Sequence, residues 1–141
     1  MENYGYVSAM RKYFNFRDRA PRKEYWMFTL IYLIMSIGAI VLDGFLFGFE
    51  IQPAPEDGIG GGFSTTGPFG AIIGLVHFIP SLAVTVRRLH DIGRSGWWIL
   101  ILFIPLIGIF ILLYWMIKGS EPGANKWGPN PYGVASAEVF D

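Results

Sequence analysis

The residues best suited to chemistry lie in one stretch, Arg87-Arg88-Leu89-His90-Asp91-Ile92-Gly93-Arg94-Ser95-Gly96-Trp97-Trp98. Its arginines present forked, permanently charged donors that match phosphate or carboxylate oxygens. The stretch therefore reads as a site for a lipid head group or another anion. A structural reading stands beside it: the arginines hold a loop in the cytoplasm and pair with Asp91, Asp18 or Glu24. Topology alone requires neither a His-Asp pair nor fixed glycines. His90 and Asp91 suggest acid–base work, yet neighbours on a helix point about 100° apart and do not pair by adjacency. No Gly-x-Ser-x-Gly elbow or His-Glu-x-x-His helix occurs. The Gly58–Gly62 run lacks the Gly-Lys-Ser/Thr of a phosphate loop. Cysteine is absent, which excludes disulfides, thiolate metal sites and a cysteine nucleophile. Two histidines and few carboxylates leave little material for a metal. A non-catalytic chain without cofactor or metal is expected.

Asp43 and His77 form a second candidate, because both fall inside apolar segments where ionisable groups are costly. Rise per residue puts Asp43 in the outer part of the first segment and His77 near the middle of the second. They could approach within a side-chain length or two and relay protons or bind a cation. The plainer reading has Asp43 reaching the outer interface and His77 bonding a neighbouring helix. Gly70, Gly74, His77, Ser81 and Thr85 recur at three- and four-residue spacing, and Gly44 and Gly48 form a similar patch. Such faces let helix backbones approach closely, within one chain first and between copies second.

These residues sit on or beside three apolar segments, about Tyr25–Phe49, Pro68–Val86 and Trp97–Ile117. Each is long enough for a hydrocarbon core of about 30 Å. Of the 141 residues, 52% are hydrophobic and 16% charged, well below the share of charge in ordinary soluble domains. The first segment exceeds a signal-peptide core and is expected to be a retained span. Arg11, Lys12, Arg17, Arg19, Arg22 and Lys23 precede it. The Glu50–Gly67 loop carries Glu50, Glu56 and Asp57 but no Lys or Arg, and the next loop carries Arg87, Arg88 and Arg94. The positive-inside rule then places the N-terminus and the arginine loop in the cytoplasm. Net charge is zero, so no nucleic-acid partner is expected.

Two arrangements remain for the third segment. The simpler is a single span kinked at Pro105, which leaves Lys118 and Lys126 outside. The other is a re-entrant hairpin turning at Ile104–Gly108, which keeps every Lys and Arg inside but needs its turn shielded from lipid. Tyr6, Val7, Met10, Tyr13 and Phe14 share one helical face, predicting an amphipathic N-terminal helix at the membrane surface or packed on the span ends. The tail Gly119–Gly133 is dense in turn formers and should be an ordered loop.

Three patches resemble the bacterial DUF805 family of small inner-membrane proteins. They are Phe16–Trp26, Pro80–Trp98 with its Arg-Arg-Leu-His-Asp-x-Gly-Arg-Ser-Gly-Trp-Trp core, and Gly123–Gly133. Asp18 and Pro21 depart from the family's usual Gly and Ser. A Ser at the second position would form a capping box with Glu24; Pro cannot, though it suits a first helical turn. The resemblance implies an integral protein of the bacterial inner (cytoplasmic) membrane and no mechanism; the apolar segments and the charge pattern make it multi-pass with its N-terminus cytoplasmic.

The expected fold is all-α and membrane-embedded: three transmembrane helices, the third kinked or re-entrant at Pro105, plus an amphipathic interfacial helix. Residues 1–133 are expected to form one domain and 134–141 a flexible tail. The candidate anion or lipid-head-group residues are Arg19, Arg22, Arg87, Arg88, His90, Asp91, Arg94, Asn125 and Trp127. Expected partners are membrane lipids, anionic head groups foremost, and a second copy or another membrane protein. Alternative functions are a transporter or channel subunit using Asp43 and His77, and a membrane enzyme acting on a lipid-linked substrate with His90 and Asp91 at the cytoplasmic face.

Overall fold

The structure, a computed structural model, describes residues 4–53, 62–65 and 67–133. The expected flexible tail 134–141, Glu56, Asp57 and most of the Gly58–Gly62 run lie outside the described residues. In chain order the elements are α1 (Tyr6–Arg11), α2 (Arg22–Phe47), β1 (Phe49–Gln52), β2 (Gly62–Thr65), α3 (Phe69–Asp91), a 3₁₀ helix (Gly96–Phe103) and α4 (Ile107–Ile117).

The chain divides after Thr29 within α2 and before Ile79 within α3, giving two compact units. Among the described residues α2 and α3 are long and apolar enough to cross a membrane. Their 26 and 23 residues span about 39 and 35 Å at 1.5 Å per residue. Large apolar side chains such as Leu33, Ile34, Val41 and Leu75 are exposed along them, which water would penalise and lipid would not.

The unit formed by residues 30–78 holds the rest of α2, the ribbon β1–β2 and the start of α3. The antiparallel ribbon pairs Phe49 with Thr65 and Glu50 with Ser64. This corrects the expectation of an all-α fold: the described residues are predominantly helical with one small sheet. Gly48 leaves α2 at φ +92°, where a Cβ is unfavourable, and the chain turns straight into β1. Gly44 lies against the Phe49 ring, which a Cβ there would strike.

The unit formed by residues 4–29 and 79–133 carries the buried apolar clusters. Ala9, Ala20, Phe28 and Val84 form one, with Tyr6 and Met10 packed against it. Leu89, Ile92, Leu112, Trp115 and Met116 form the other. Thus α1 turns Tyr6, Ala9 and Met10 inward, Tyr6 stacking on Phe28 at 5.8 Å, and leaves Val7 exposed; Phe14, beyond the end of the helix, is exposed as well.

The third apolar segment is not the single kinked helix that the simpler expectation held. The 3₁₀ helix ends at Phe103, the chain reverses, and α4 packs back on it. The Ile107 amide donates to the Pro105 carbonyl at 2.8 Å with Leu106 at φ 64°, ψ −61°, a γ-turn with positive φ at its centre. Gly108 completes the reversal, since a Cβ there would collide with the Ile101 carbonyl. Proline at 105 and glycine at 108 thus permit a fold-back that a bulkier pair would block.

An arginine–carboxylate latch at the helix ends

The end of α3 is closed by a Schellman motif. The Arg94 amide donates to the Leu89 carbonyl and the Gly93 amide to the His90 carbonyl. Gly93 has φ +77°, the left-handed conformation this motif requires. The final turn of α3 therefore holds Arg87, Arg88, His90 and Asp91 in fixed directions, and all four are buried.

Asp91 is the centre. Its Oδ1 accepts from Arg19 Nε at 3.1 Å, and its Oδ2 accepts from Arg88 Nη1 at 2.5 Å and Ser120 Oγ at 2.6 Å. Its backbone carbonyl accepts from the Glu121 amide at 2.8 Å and from Arg19 Nη2 at 3.2 Å. Arg19 spreads further over the tail, donating to the carbonyls of Glu121 at 2.6 Å, Gly123 at 2.8 Å and Gly128 at 3.3 Å. One carboxylate facing two guanidiniums leaves the cluster positive, and the tail carbonyls supply the compensating dipoles.

Arg88 performs a second task. A helix ends with carbonyls that lack intrahelical partners. At the end of α4, Tyr114 receives the Lys118 amide. Arg88 donates to Trp115, Met116 and Lys118, and Arg22 reaches Ile117 at 3.4 Å. Two arginines thus cap the negative end of α4, where a cation is favoured.

Arg87 turns elsewhere. Its Nη2 lies 3.1 Å from Glu24 Oε1, both side chains fully buried, and its Nε donates to Ala83. Glu24 stands in the first turn of α2, where the helix dipole favours a carboxylate. Pro21 leads into that turn, its carbonyl accepting from Glu24 and Tyr25 amides. The helix start expected without a serine cap is therefore present. Arg94 lies over Trp115 at 4.3 Å and Trp98 at 5.4 Å, and those two rings meet edge to face. Its cation, attracted to the negative faces of both indoles, pins the returning α4 to the first turn of the 3₁₀ helix.

His90 and Asp91 diverge. The His90 ring stacks on Trp127 at 4.4 Å and 10°, and its Nδ1 lies 3.3 Å from the Asp18 carbonyl. Asn125 donates to the His90 carbonyl at 3.0 Å and to Glu121 Oε2 at 2.8 Å. Its own Oδ1 accepts from the Trp127 amide, an Asx-turn that presents the indole. The tail contains no helix, as its turn formers predict. Every residue of the candidate anion site lies in this unit, but the buried donors of Arg19 and Arg88 already face protein acceptors. Among the described residues, no group of three or more His, Cys, Asp or Glu is placed to hold a metal ion.

Asp43 and His77 belong to the other unit. Asp43 is fully buried and accepts from the Phe69 amide at 3.0 Å and the Gly70 amide at 2.7 Å. It caps the first turn of α3 from another segment. Gly67 makes room, for a Cβ there would strike its carboxylate. His77 stacks on Tyr32 at 4.9 Å, and its Nδ1 lies 2.8 Å from the Ile73 carbonyl. Seven residues of α3, about 10 Å of rise, separate Gly70 from His77. Sequence reasoning found both polar residues but not Tyr32, Glu121 or Ser120, whose roles depend on contacts between distant segments.

A family model described as "Protein of unknown function (DUF805)" matches residues 13–129. The chain is 40% identical over 126 residues to "Inner membrane protein YhaH" of Escherichia coli (strain K12), covering 89% of this chain and 94% of that protein. It is 38% identical over 128 residues to "Inner membrane protein YhaI" of the same organism, covering 89% and 93%. No solved structure matches. The arginine–carboxylate latch joins all three sequence patches that carry the family likeness.

Proposed function

This chain belongs to the DUF805 family, and on that premise we propose a small, non-catalytic integral protein of a bacterial inner membrane, whose latched basic cytoplasmic face contacts anionic lipid head groups. In this reading α2 and α3 cross the membrane and Gly96–Ile117 enters it as a hairpin. The 3₁₀ helix and α4 each reach about 16 Å, roughly half of the hydrocarbon core. The hairpin turn suits lipid because its carbonyls are satisfied: Ile104 accepts from Gly108, Pro105 from Ile107 and Leu106 from Phe110. The N-terminus, the arginine turn and the tail share the cytoplasmic side, α1 lies at the interface, and residues 1–133 act as one membrane domain.

The observation that carries this reading is the return of the tail. Trp127 on His90 and the tail carbonyls on Arg19 tie residues 120–128 to the end of α3. All 11 Lys and Arg of the chain then lie on one side, as the positive-inside rule favours. A non-catalytic role is supported by the separate partners of His90 and Asp91. Lipid contact is left to Arg11, Arg17, Lys23, Lys118 and Lys126, all exposed.

The test is quenching of the native tryptophans in reconstituted bilayers by brominated phosphatidylglycerol against brominated phosphatidylcholine. The anionic lipid should quench more, by a margin that shrinks as salt is raised. Equal quenching at every salt concentration would contradict the proposal.

A further inference from the structure

Two concavities in the unit of residues 4–29 and 79–133 adjoin through a single ring. One is a basin of about 680 Å³ formed by the link from Arg11 to Asp18. The other is a groove of about 480 Å³ walled by Phe16, Leu82, Val86, Trp97 and Ile99. Both volumes fall in the range of small-ligand sites. Phe16 lines both, so the basin and the groove adjoin at that residue.

Both have apolar walls, Tyr13, Phe14 and Phe16 in the basin, but they differ in charge as the two ends of an amphiphile do. Arg11, Lys12 and Arg17 face the basin with one carboxylate, Asp18. That carboxylate is engaged by the Asn15 amide at 2.6 Å, and the Arg17 backbone is fixed by Asn15 Oδ1 at 2.9 Å. The basin is therefore net positive on an ordered turn. The groove is mostly apolar-walled, and Trp97 at its edge is 79% exposed, the placement of an interfacial indole.

We propose that these concavities form one stoichiometric site for an anionic phospholipid, its phosphate in the Arg11–Asp18 basin and an acyl chain in the Phe16–Trp97 groove. This rests on the reading that the face meets the membrane. It goes further, because attraction to a charged surface would be graded and would need no groove.

The test uses the full chain, purified in neutral detergent, with native mass spectrometry counting retained lipid. One phosphatidylglycerol per chain should survive, while phosphatidylcholine of identical chains should be lost. Arg11→Gln with Arg17→Gln, both on exposed side chains, should lower retention about tenfold. Leu82→Trp, which fills the groove, should abolish it. Val86→Trp serves as a second filling variant should the first unfold, with helical circular dichroism as the fold check. Excess inorganic phosphate should not displace the lipid; displacement would mark a simple anion site and overturn the proposal. A graded series of bound lipids, or retention unchanged in a folded groove-filling variant, would overturn it too. If those results came with salt-sensitive bilayer quenching intact, the single-site inference alone would fall. Loss of the anionic preference in quenching would remove the underlying reading as well.

Discussion

Asp91 is fully buried and faces Arg19 and Arg88 together, so its loss leaves two guanidiniums without their carboxylate. Breaking a buried pair from one side costs about 3–5 kcal/mol. Asp91→Ala is expected to lose stability of that order in equilibrium unfolding in detergent, whereas Arg17→Gln, on the exposed turn, should change it little. A loss under about 1 kcal/mol for Asp91→Ala would mean that the latch contributes little. Asp43 makes a parallel case in the other unit. Asp43→Ala removes the acceptor of two first-turn amides of α3 and should cost about 1–2 kcal/mol. Much of this was legible in the residues. Arg88 and Asp91 stand three apart on one helix and must share a face, and Glu24 and Asp91 were among the carboxylates in view. The choice of Glu24 for Arg87, and of Asp91 for Arg19 across 72 positions, depends on the fold bringing distant segments together, which spacing does not encode.

At the scale of elements, the hairpin of the 3₁₀ helix and α4 is the main departure from the simpler sequence reading. An unbroken apolar run containing one proline is compatible with a kinked span and with a fold-back, because hydropathy records neither direction nor turn. Two features decide it in the structure: Leu106 at positive φ and Gly108 against the Ile101 carbonyl. They make opposite demands on a substitution. In the hairpin, Leu106→Gly relieves an unfavourable backbone conformation and should raise stability by about 1 kcal/mol. In a continuous helix the same change would cost about 1 kcal/mol. Denaturant titration in detergent separates the two signs. Gly108→Val should be strongly destabilising, because backbone rather than a yielding side chain blocks its Cβ. The two long helices were legible from apolar length alone. The ribbon β1–β2 was not, since four residues of alternation in β1, Phe49 to Gln52, are too short a signal and Gly62–Thr65 carries no such pattern.

At the scale of the molecule, charge segregation and the latch both support the proposed topology. Residues 30–78 contain no Lys or Arg, and the tail is tied to the same structural unit as Arg19, Arg88 and Asp91. The central claim is that this tail lies on the cytoplasmic side with the N-terminal turn. The absence of native cysteine allows a direct measurement: single-cysteine variants Lys23→Cys, Glu50→Cys and Lys126→Cys, labelled with a membrane-impermeant maleimide in cells whose outer membrane has been permeabilised. Glu50→Cys should label with the inner membrane intact. Lys23→Cys and Lys126→Cys should label only after the inner membrane is opened. Labelling of Lys126→Cys across an intact inner membrane, with Lys23→Cys still protected, would make Gly96–Ile117 a crossing and contradict the account.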